Sequence, residues 1–314
     1  MLSLGMGKSS IKIGSREITV SNLEKVLYPE GKFTKFQVIE YYVNVGRFLL
    51  PHFKNRPVTL VRFPDGVLGK SFYEKQAPKF TPDWIKTFPV PRSEGGFINY
   101  ILINDLPTLA WVANLAALEL HPFLHRAPRI EKPTVLVFDL DPGEGSSILT
   151  CIEVAFLVCS TLDRVGLKCF PKVSGSKGLQ IYIPLNSRTT YEVTNTFARA
   201  VADLLAREHP KLIVAQMAKN LRRGKVFIDW SQNTQSKTTV GVYSLRAKRE
   251  RPLVSMPVTW EELEKASRKT DVEALSFEPK PALERLEKLG DLFAPVLEIK
   301  QQLPRKSLQS LNHS

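Results

Sequence analysis

The sequence predicts a mixed α/β or α+β fold, and three observations carry that expectation. Beyond about residue 130, β-branched runs bounded by turn residues alternate with stretches of helical period, the pattern of strands interleaved with helices. Of 314 residues, 43% are hydrophobic and 24% charged, which suits a globular chain and excludes a disordered or fibrous one. No internal repeat or low-complexity tract appears. The length holds one large domain or two closely packed ones, with a core that needs no disulfide or metal staple.

Residues 1–10 and 301–314 read as polar tails, and the first lacks the apolar run of a signal peptide. Residues 11–300 form the working domain, helix- and loop-rich to about 130 and sheet-based over 131–300. Residues 22–25 open a short turn. Thr34 is a suitable N-cap for a helix through Phe48, with Phe36, Ile39, Tyr42 and Val43 on one face. The apolar stretch 100–120 is broken by Asn104, Asp105, Pro107 and Asn114, short of the ~18 clean apolar residues of a membrane span. It reads as a buried helix over 106–120, capped by Asp105 with Pro107 in its first turn. Residues 134–139 (TVLVFD) are a buried strand between Pro133 and the Pro142-Gly143 turn. A helix over 147–164 follows, with Ile148, Ile152, Ala155, Phe156, Cys159 and Leu162 at core spacing and Gly166 as its stop. Residues 168–173 and 179–184 are strands joined by SGSKG. Residues 189–192 spell a capping box for a helix to about Arg207. Residues 225–230 (KVFIDW) are another strand, and 259–290 are amphipathic helix.

Lysine and arginine total 44 against 31 acids, a net charge of +13, which invites a polyanionic partner such as nucleic acid. The three cysteines, Cys151, Cys159 and Cys169, form no CxxC and are odd in number. A disulfide framework or structural zinc site is therefore not expected, and a reducing cytoplasm is. Cys151 and Cys159 are placed on the core face of their helix with no chemical role.

The strongest chemical signal is Asp139-Leu140-Asp141, ending a hydrophobic strand. Residues i and i+2 of a strand share a face, so two carboxylates can converge on a hard divalent cation; a solvated turn is the plainer alternative. Asp229 ends the strand KVFID, where a turn-capping role competes. Were both strands in one sheet, three carboxylates would gather at one edge, as two-metal phosphoryl transfer requires. The loop 174–178 (SGSKG) offers two glycines and Lys177 to a phosphate, without being a Walker loop; a hairpin turn is its alternative. Residues 219–251 hold nine basic and two acidic residues with Trp230 and Tyr243 among them, suited to phosphate contacts and base stacking or to a solvated face. Asn22, Lys25, Lys35, Arg62, Phe72 and Lys75 are a weaker version of that mixture. His121, in Leu-His-Pro, reads by itself as a cap or a satisfied core histidine. No Ser/His/Asp triad or nucleophile elbow is present.

The blocks TVSNLEKVLYPEGKFTK, GKSFYEKQAPKFTPDW, ELHP, VFDLDPGEG, SGSKGL, KVFIDWSQN, KTTVGVYSLRAK and VSMPVTWEEL, in this order, resemble the polymerase domain of bacterial ligase D. That domain belongs to the archaeo-eukaryotic primase superfamily and serves non-homologous end joining. The resemblance covers about residues 11–290. It implies a primase-type core, with a central, mostly antiparallel sheet and flanking helices. By position, it makes Asp139, Asp141 and Asp229 the metal-binding acids, Ser174 and Lys177 the triphosphate loop, and His121 a neighbour of the incoming nucleotide. Arg246 and Lys248 match basic residues that touch nucleotide phosphates. Asn22, Lys25 and Lys35 match a pocket for the 5′-phosphate across a gap. Phe72 or Tyr73 is the template-stacking ring, and Arg222 holds a strand end.

Two positions depart from the pattern. Gln180 stands where many relatives have histidine, so it can donate to a phosphate but carries no charge. Val242 stands where proline is frequent. Both are expected to tune nucleotide affinity. The implied reaction is template-directed attack of a primer 3′-hydroxyl on the α-phosphate of an NTP or dNTP, with ribonucleotides preferred and two Mn²⁺ or Mg²⁺ ions assisting. Gapped or broken DNA bearing a 5′-phosphate is the expected partner of a monomeric enzyme, with Ku and a separate ligase as candidate protein partners and no membrane. No KxDG ligase motif is present, so the chain is expected to be a stand-alone enzyme or an excised domain, and its natural-looking tails favour the former. The rival readings are a metal-dependent nuclease using the same acids and a catalytically silent scaffold that binds DNA ends.

Overall fold

The computed structural model describes residues 9–304. Hairpins Ser9–Ile13 (β1) with Arg16–Val20 (β2) and Val26–Tyr28 (β3) with Phe33–Thr34 (β4) precede helix Lys35–Phe53 (α1). Strands Pro57–Arg62 (β5), Phe72–Glu74 (β6), Thr87–Pro91 (β7) and Phe97–Leu102 (β8) follow, then helix Leu106–Asn114 (α2) and strand Ala117–Pro122 (β9). His125–Arg126 (β10) and Arg129–Pro133 (β11) lead into Val135–Pro142 (β12), helix Ile148–Asp163 (α3), strands Phe170–Val173 (β13) and Leu179–Pro184 (β14), and helix Tyr191–Glu208 (α4). The chain continues through Ile213–Val214 (β15), Val226–Asp229 (β16), Leu245–Arg246 (β17) and Leu253–Val254 (β18). It closes with helices Trp260–Lys269 (α5), Pro279–Leu289 (α6) and Pro295–Glu298 (α7).

The chain divides into two compact units, and the break differs from the expected one near residue 130. The first unit runs to Phe123 and takes back Val240–Ser255 and Glu278–Gly290; the second holds Leu124–Thr239, Met256–Phe277 and the chain from Asp291. The first unit is richer in strands than expected. It carries a five-stranded sheet in the order β6-β5-β8-β7, with β9 also paired to β5. Thr34 caps α1 through a capping box with Gln37, and the helix buries Val38, Ile39, Tyr42, Val45 and Leu49. Phe36 and Val43 are only half-buried.

The expected helix over 106–120 stops at Asn114. Ala116 takes φ +55°, which ends the helix, and residues 118–121 then alternate apolar and polar as a strand does. His121 therefore stands in β9 and not behind a helix.

The second unit is a sheet in the order β13-β14-β12-β16-β15. Every pairing is antiparallel except β15 with β16. In β12, Leu136, Phe138 and Leu140 are fully buried on one face, with α3 packed on the strand. Alternation puts Val137, Asp139 and Asp141 on the other. Within α3, Phe156 and Cys159 lie at the rim, against expectation: Phe156 meets Trp260, and the free thiol of Cys159 hydrogen-bonds with Cys169 and Asp163. The helix after residue 189 is capped by Thr190, one residue later than the capping-box reading.

The expected tails lie mostly outside the described residues. Ser9 and Ser10 nevertheless belong to β1, and Gln301 bonds Lys168 and Pro184 through its side chain. No helix among the described residues is long and apolar enough to cross a membrane.

Candidate active site

In the second unit, Asp139 sits directly opposite Asp229 in the antiparallel β12–β16 pair and opposite Gln180 in the β12–β14 pair. Direct partners share a face, with Cβ atoms roughly 4.5–5.5 Å apart. Asp141, two residues on, lies on that face as well. The strand register thus brings the three sequence-predicted acids to one sheet face. Burial, then the charges of Asp141 and Asp229, push the Asp139 carboxyl up to about 7; a hydrogen bond from Gln180 and the charge of Lys172 pull the other way.

Asp229 also fills the plainer role of a turn cap. Its Oδ1 accepts from the Ser231 N–H at 2.9 Å and the Ser231 hydroxyl at 2.5 Å, and its Oδ2 accepts from Gln232 at 2.8 Å. Among the described residues, no three His, Cys, Asp or Glu side chains form a ready-made metal cage. The donor set still fits a hard divalent cation: three carboxylates share a face, and the mutual repulsion that raises Asp139 is what a bound cation relieves. Oδ2 accepts only one of these hydrogen bonds and keeps a further lone pair, so they do not exclude a metal bond to Asp229.

Asn233 holds this geometry, and the sequence reading missed it. It is fully buried; its Oδ1 accepts from the Val137 N–H at 2.9 Å, and its Nδ2 donates to the Val137 carbonyl at 2.7 Å and the Trp230 carbonyl at 2.9 Å. The turn after Asp229 is thereby fastened to the strand that carries Asp139. An asparagine soon after a strand-ending acid was the available signal; its burial was not visible in the sequence.

The 174–178 loop closes on itself. Ser174 Oγ accepts from the Ser176 and Gly178 N–H groups at 3.2 and 3.3 Å, while Lys177 is exposed. Gly178 is required by packing, because a Cβ there would lie 2.2 Å from the Leu140 carbonyl. Loop and acid-bearing strand are therefore in contact. Gln180 is not on the surface: it is 1% exposed and donates to Thr239 at 2.9 Å and to Asp139. Its amide thus meets an acid and a hydroxyl, where the sequence reading had it meeting triphosphate. The Pro-Gly turn after β12 packs on the basic loop, since a Cβ at Gly143 would meet the Arg222 carbonyl at 1.8 Å. The Arg222 guanidinium lies 3.7 Å over the Phe227 ring and donates to the Met217 carbonyl at 2.7 Å.

In the first unit, Asn22, Lys25 and Lys35 are gathered at the start of α1 by backbone bonds from Lys25 to Asn22 and from Lys35 to Lys25. Asn22 takes φ +53°. Lys35 is 6% exposed and donates to the Ser21 carbonyl at 2.6 Å; burial, then Arg62 and Lys25, lower it to about 8. Such a buried cation at a helix N-terminus suits an anion. Lys25 pairs with the exposed Asp65 at 2.7 Å. Arg62 is a brace: Glu74 holds it at 3.1 Å, the Leu115 carbonyl at 2.8 Å, and Phe72 lies beneath it at 5.0 Å. Phe72 and Tyr73 are 43% and 62% exposed, which leaves ring surface for stacking. His121 and Arg246 converge on the buried Glu119, which the sequence reading did not single out, and Lys248 is exposed.

Residues 34–293 match the family described as LigD, primase-polymerase domain. The chain is 40% identical over 281 residues to the multifunctional non-homologous end joining protein LigD of Mycolicibacterium smegmatis, covering 89% of this chain and 36% of that protein. It is 31% identical over 302 residues to the bifunctional non-homologous end joining protein LigD of Bacillus subtilis, covering 93% and 47%. The chain thus spans less than half the length of these relatives. Among solved structures, the polymerase domain from Mycobacterium tuberculosis ligase D in complex with DNA superposes with a TM-score of 0.83 at 39% identity, covering 90% of this chain and 99% of that one. With more than half its length matched by the family and the fold shared over 90% of its length with a solved member, the chain belongs to the LigD primase-polymerase domain family.

Proposed function

We propose that this chain extends a primer 3′-hydroxyl, templated across gaps and broken ends of DNA, with ribonucleotides preferred. The observation that carries the reading is the register that sets Asp229 opposite Asp139, with Asp141 on the same face. Divalent cations, when bound, supply the charge that makes the 3′-hydroxyl a nucleophile and steadies the departing pyrophosphate. Asp139 and Asp141 would hold the ions, and Asp229 would complete the site. Ser174 orders the loop amides, and Lys177 adds an exposed positive charge for triphosphate. Gln180 supports Asp139 from the neighbouring strand. Arg246, Lys248 and His121 are assigned to the nucleotide phosphates. Asn22, Lys25 and Lys35 receive the 5′-phosphate beyond the gap, Phe72 and Tyr73 stack on template, and Arg222 steadies a strand end. Ku and a ligase are the expected protein partners, in the cytoplasm.

The test is extension of a gapped, 5′-phosphorylated duplex with Mn²⁺ and either rNTP or dNTP. The reading expects products longer than the primer, faster with rNTP, and none from Asp139→Ala despite retained DNA binding. Products shorter than the primer would favour a nuclease. Near-normal extension by Asp139→Ala would overturn the metal assignment.

A further inference from the structure

Glu119 carries a charge in the interior of the first unit, and its partners explain why. It lies in β9 with 2% of its side chain exposed, two residues from His121 and on the same strand face. Its Oε2 is 2.9 Å from His121 Nε2. Its Oε1 accepts from the Ala247 N–H at 2.9 Å and lies 3.4 Å from Arg246 Nε. At that separation Arg246 is held by charge and not by an aligned hydrogen bond, in keeping with its Nε having no hydrogen-bond partner. Burial alone would raise the carboxyl; the His121 bond and the Arg246 charge overcome this and hold it at about 2. Glu119 is therefore ionised at neutral pH and can only accept, which places a proton on His121 Nε2.

The surroundings are built to keep this group still. The Tyr42 hydroxyl donates to the Leu118 carbonyl at 2.8 Å and accepts from the Leu245 N–H at 3.1 Å. Ser244 Oγ accepts from the Leu120 N–H at 2.9 Å, and the Tyr28 hydroxyl donates to the Arg246 carbonyl at 3.0 Å. Tyr73 meets the His121 ring edge-on at 6.4 Å. Strand β9 and the 244–247 segment are thus locked together above and below one carboxylate.

We propose that Glu119 is the positioning residue of the nucleotide site, orienting the His121 imidazole and the Arg246 guanidinium as one unit for a nucleoside triphosphate. This rests on the polymerase reading, which gives His121 and Arg246 their ligand. A buried carboxylate is an unfavourable neighbour for an incoming polyphosphate, so its presence between two groups assigned to phosphate is explained by geometry and not by attraction.

The two effects have opposite signs, which makes the test sharp. Glu119→Gln removes the negative charge and makes the site more cationic; attraction alone predicts tighter triphosphate binding, orientation predicts weaker. The expected result, on gapped duplex with Mn²⁺, is a rise of about tenfold or more in nucleotide KM with kcat within about threefold, the signature of lost binding shared by ground and transition states. Glu119→Asp keeps the charge but retracts it, and should raise KM too; it carries the test if Glu119→Gln fails to fold. Combining either variant with His121→Ala should cost less than the separate losses together, because both act through one contact. KM within twofold of wild type in both variants, a fall confined to kcat, or full additivity would each overturn the proposal. Titration of triphosphate into the same set separates the two readings. Wild type that binds triphosphate without extending a primer refutes the polymerase reading, while the variants' Kd still decides the role of Glu119. Wild type that binds none refutes both.

Discussion

Asp139→Asn should stabilise the metal-free protein at neutral to alkaline pH while abolishing nucleotide addition. Burial, reinforced by Asp141 and Asp229, raises the Asp139 carboxyl from 3.8 to about 7. Below 3.8 it is protonated whether the chain is folded or unfolded, and costs nothing. As pH rises toward 7 the unfolded chain releases the proton while the folded one retains it, so stability falls; above 7 the full penalty is present. Roughly three pKa units at about 1.4 kcal/mol each give a ceiling of about 4 kcal/mol, which partial solvent access reduces to about 1–2 kcal/mol. At about 2–4 °C per kcal/mol for a chain of this size, the variant should gain about 2–8 °C in Tm near pH 8, and less than half of that near pH 5. Differential scanning calorimetry with a chelator present reads this directly. Added Mn²⁺ should raise the wild-type Tm and leave the variant little changed, because only a ligand for the folded state stabilises it. A variant no more stable than wild type near pH 8, or equally stabilised at both pH values, would refute the reasoning.

Three further outcomes follow from the packing. Lys25→Ala with Lys35→Ala should remove most of the preference for 5′-phosphorylated over unphosphorylated gaps. In wild type that preference should weaken above pH 8 as Lys35 loses its charge, and gel-shift titrations across pH check both. Gly178→Ala drives a Cβ to 2.2 Å from the Leu140 carbonyl, so the loop must leave the acid-bearing strand; nucleotide KM should rise and Tm fall, whereas unchanged kinetics would exclude that coupling. Asn233→Ala strands the Val137 N–H and carbonyl at about 1–3 kcal/mol for each buried group, and urea unfolding should report a loss of about 2 kcal/mol or more together with weakened Mn²⁺ binding.

The fold class and the strand that carries Asp139 and Asp141 were legible in the sequence; the pairing around that strand was not. Asp139 and Asp141 share a face by strand periodicity alone, and β14 has the bounds that the apolar run between SGSKG and Leu185 implied. What no local pattern carries is register: that Asp229 falls opposite Asp139 and not one residue away is decided by pairing across nearly ninety residues of chain. Residues 106–120 misled because Leu, Ala and Trp favour a helix while the break depends on a left-handed turn at Ala116. The alternation of Leu118 and Leu120 with Glu119 and His121 was there to be read, and it would have found both β9 and the buried carboxylate. Arg62 and Gln180 looked like surface ligands because composition says nothing of burial; Glu74, Thr239 and Asp139 take up their hydrogen bonds. The return of Val240–Ser255 to the first unit was invisible for the same reason, since long-range packing leaves no periodic mark.

Calorimetric titration of Mn²⁺ into the wild-type protein and into Asp229→Asn tests the shared-acid site most directly. The account predicts saturable binding that weakens by about tenfold or more, roughly 1.4 kcal/mol, when Asp229 loses its charge. Equal Mn²⁺ affinity in the two proteins would mean that Asp229 is only the cap of its own turn, and that the three aspartates do not share a cation.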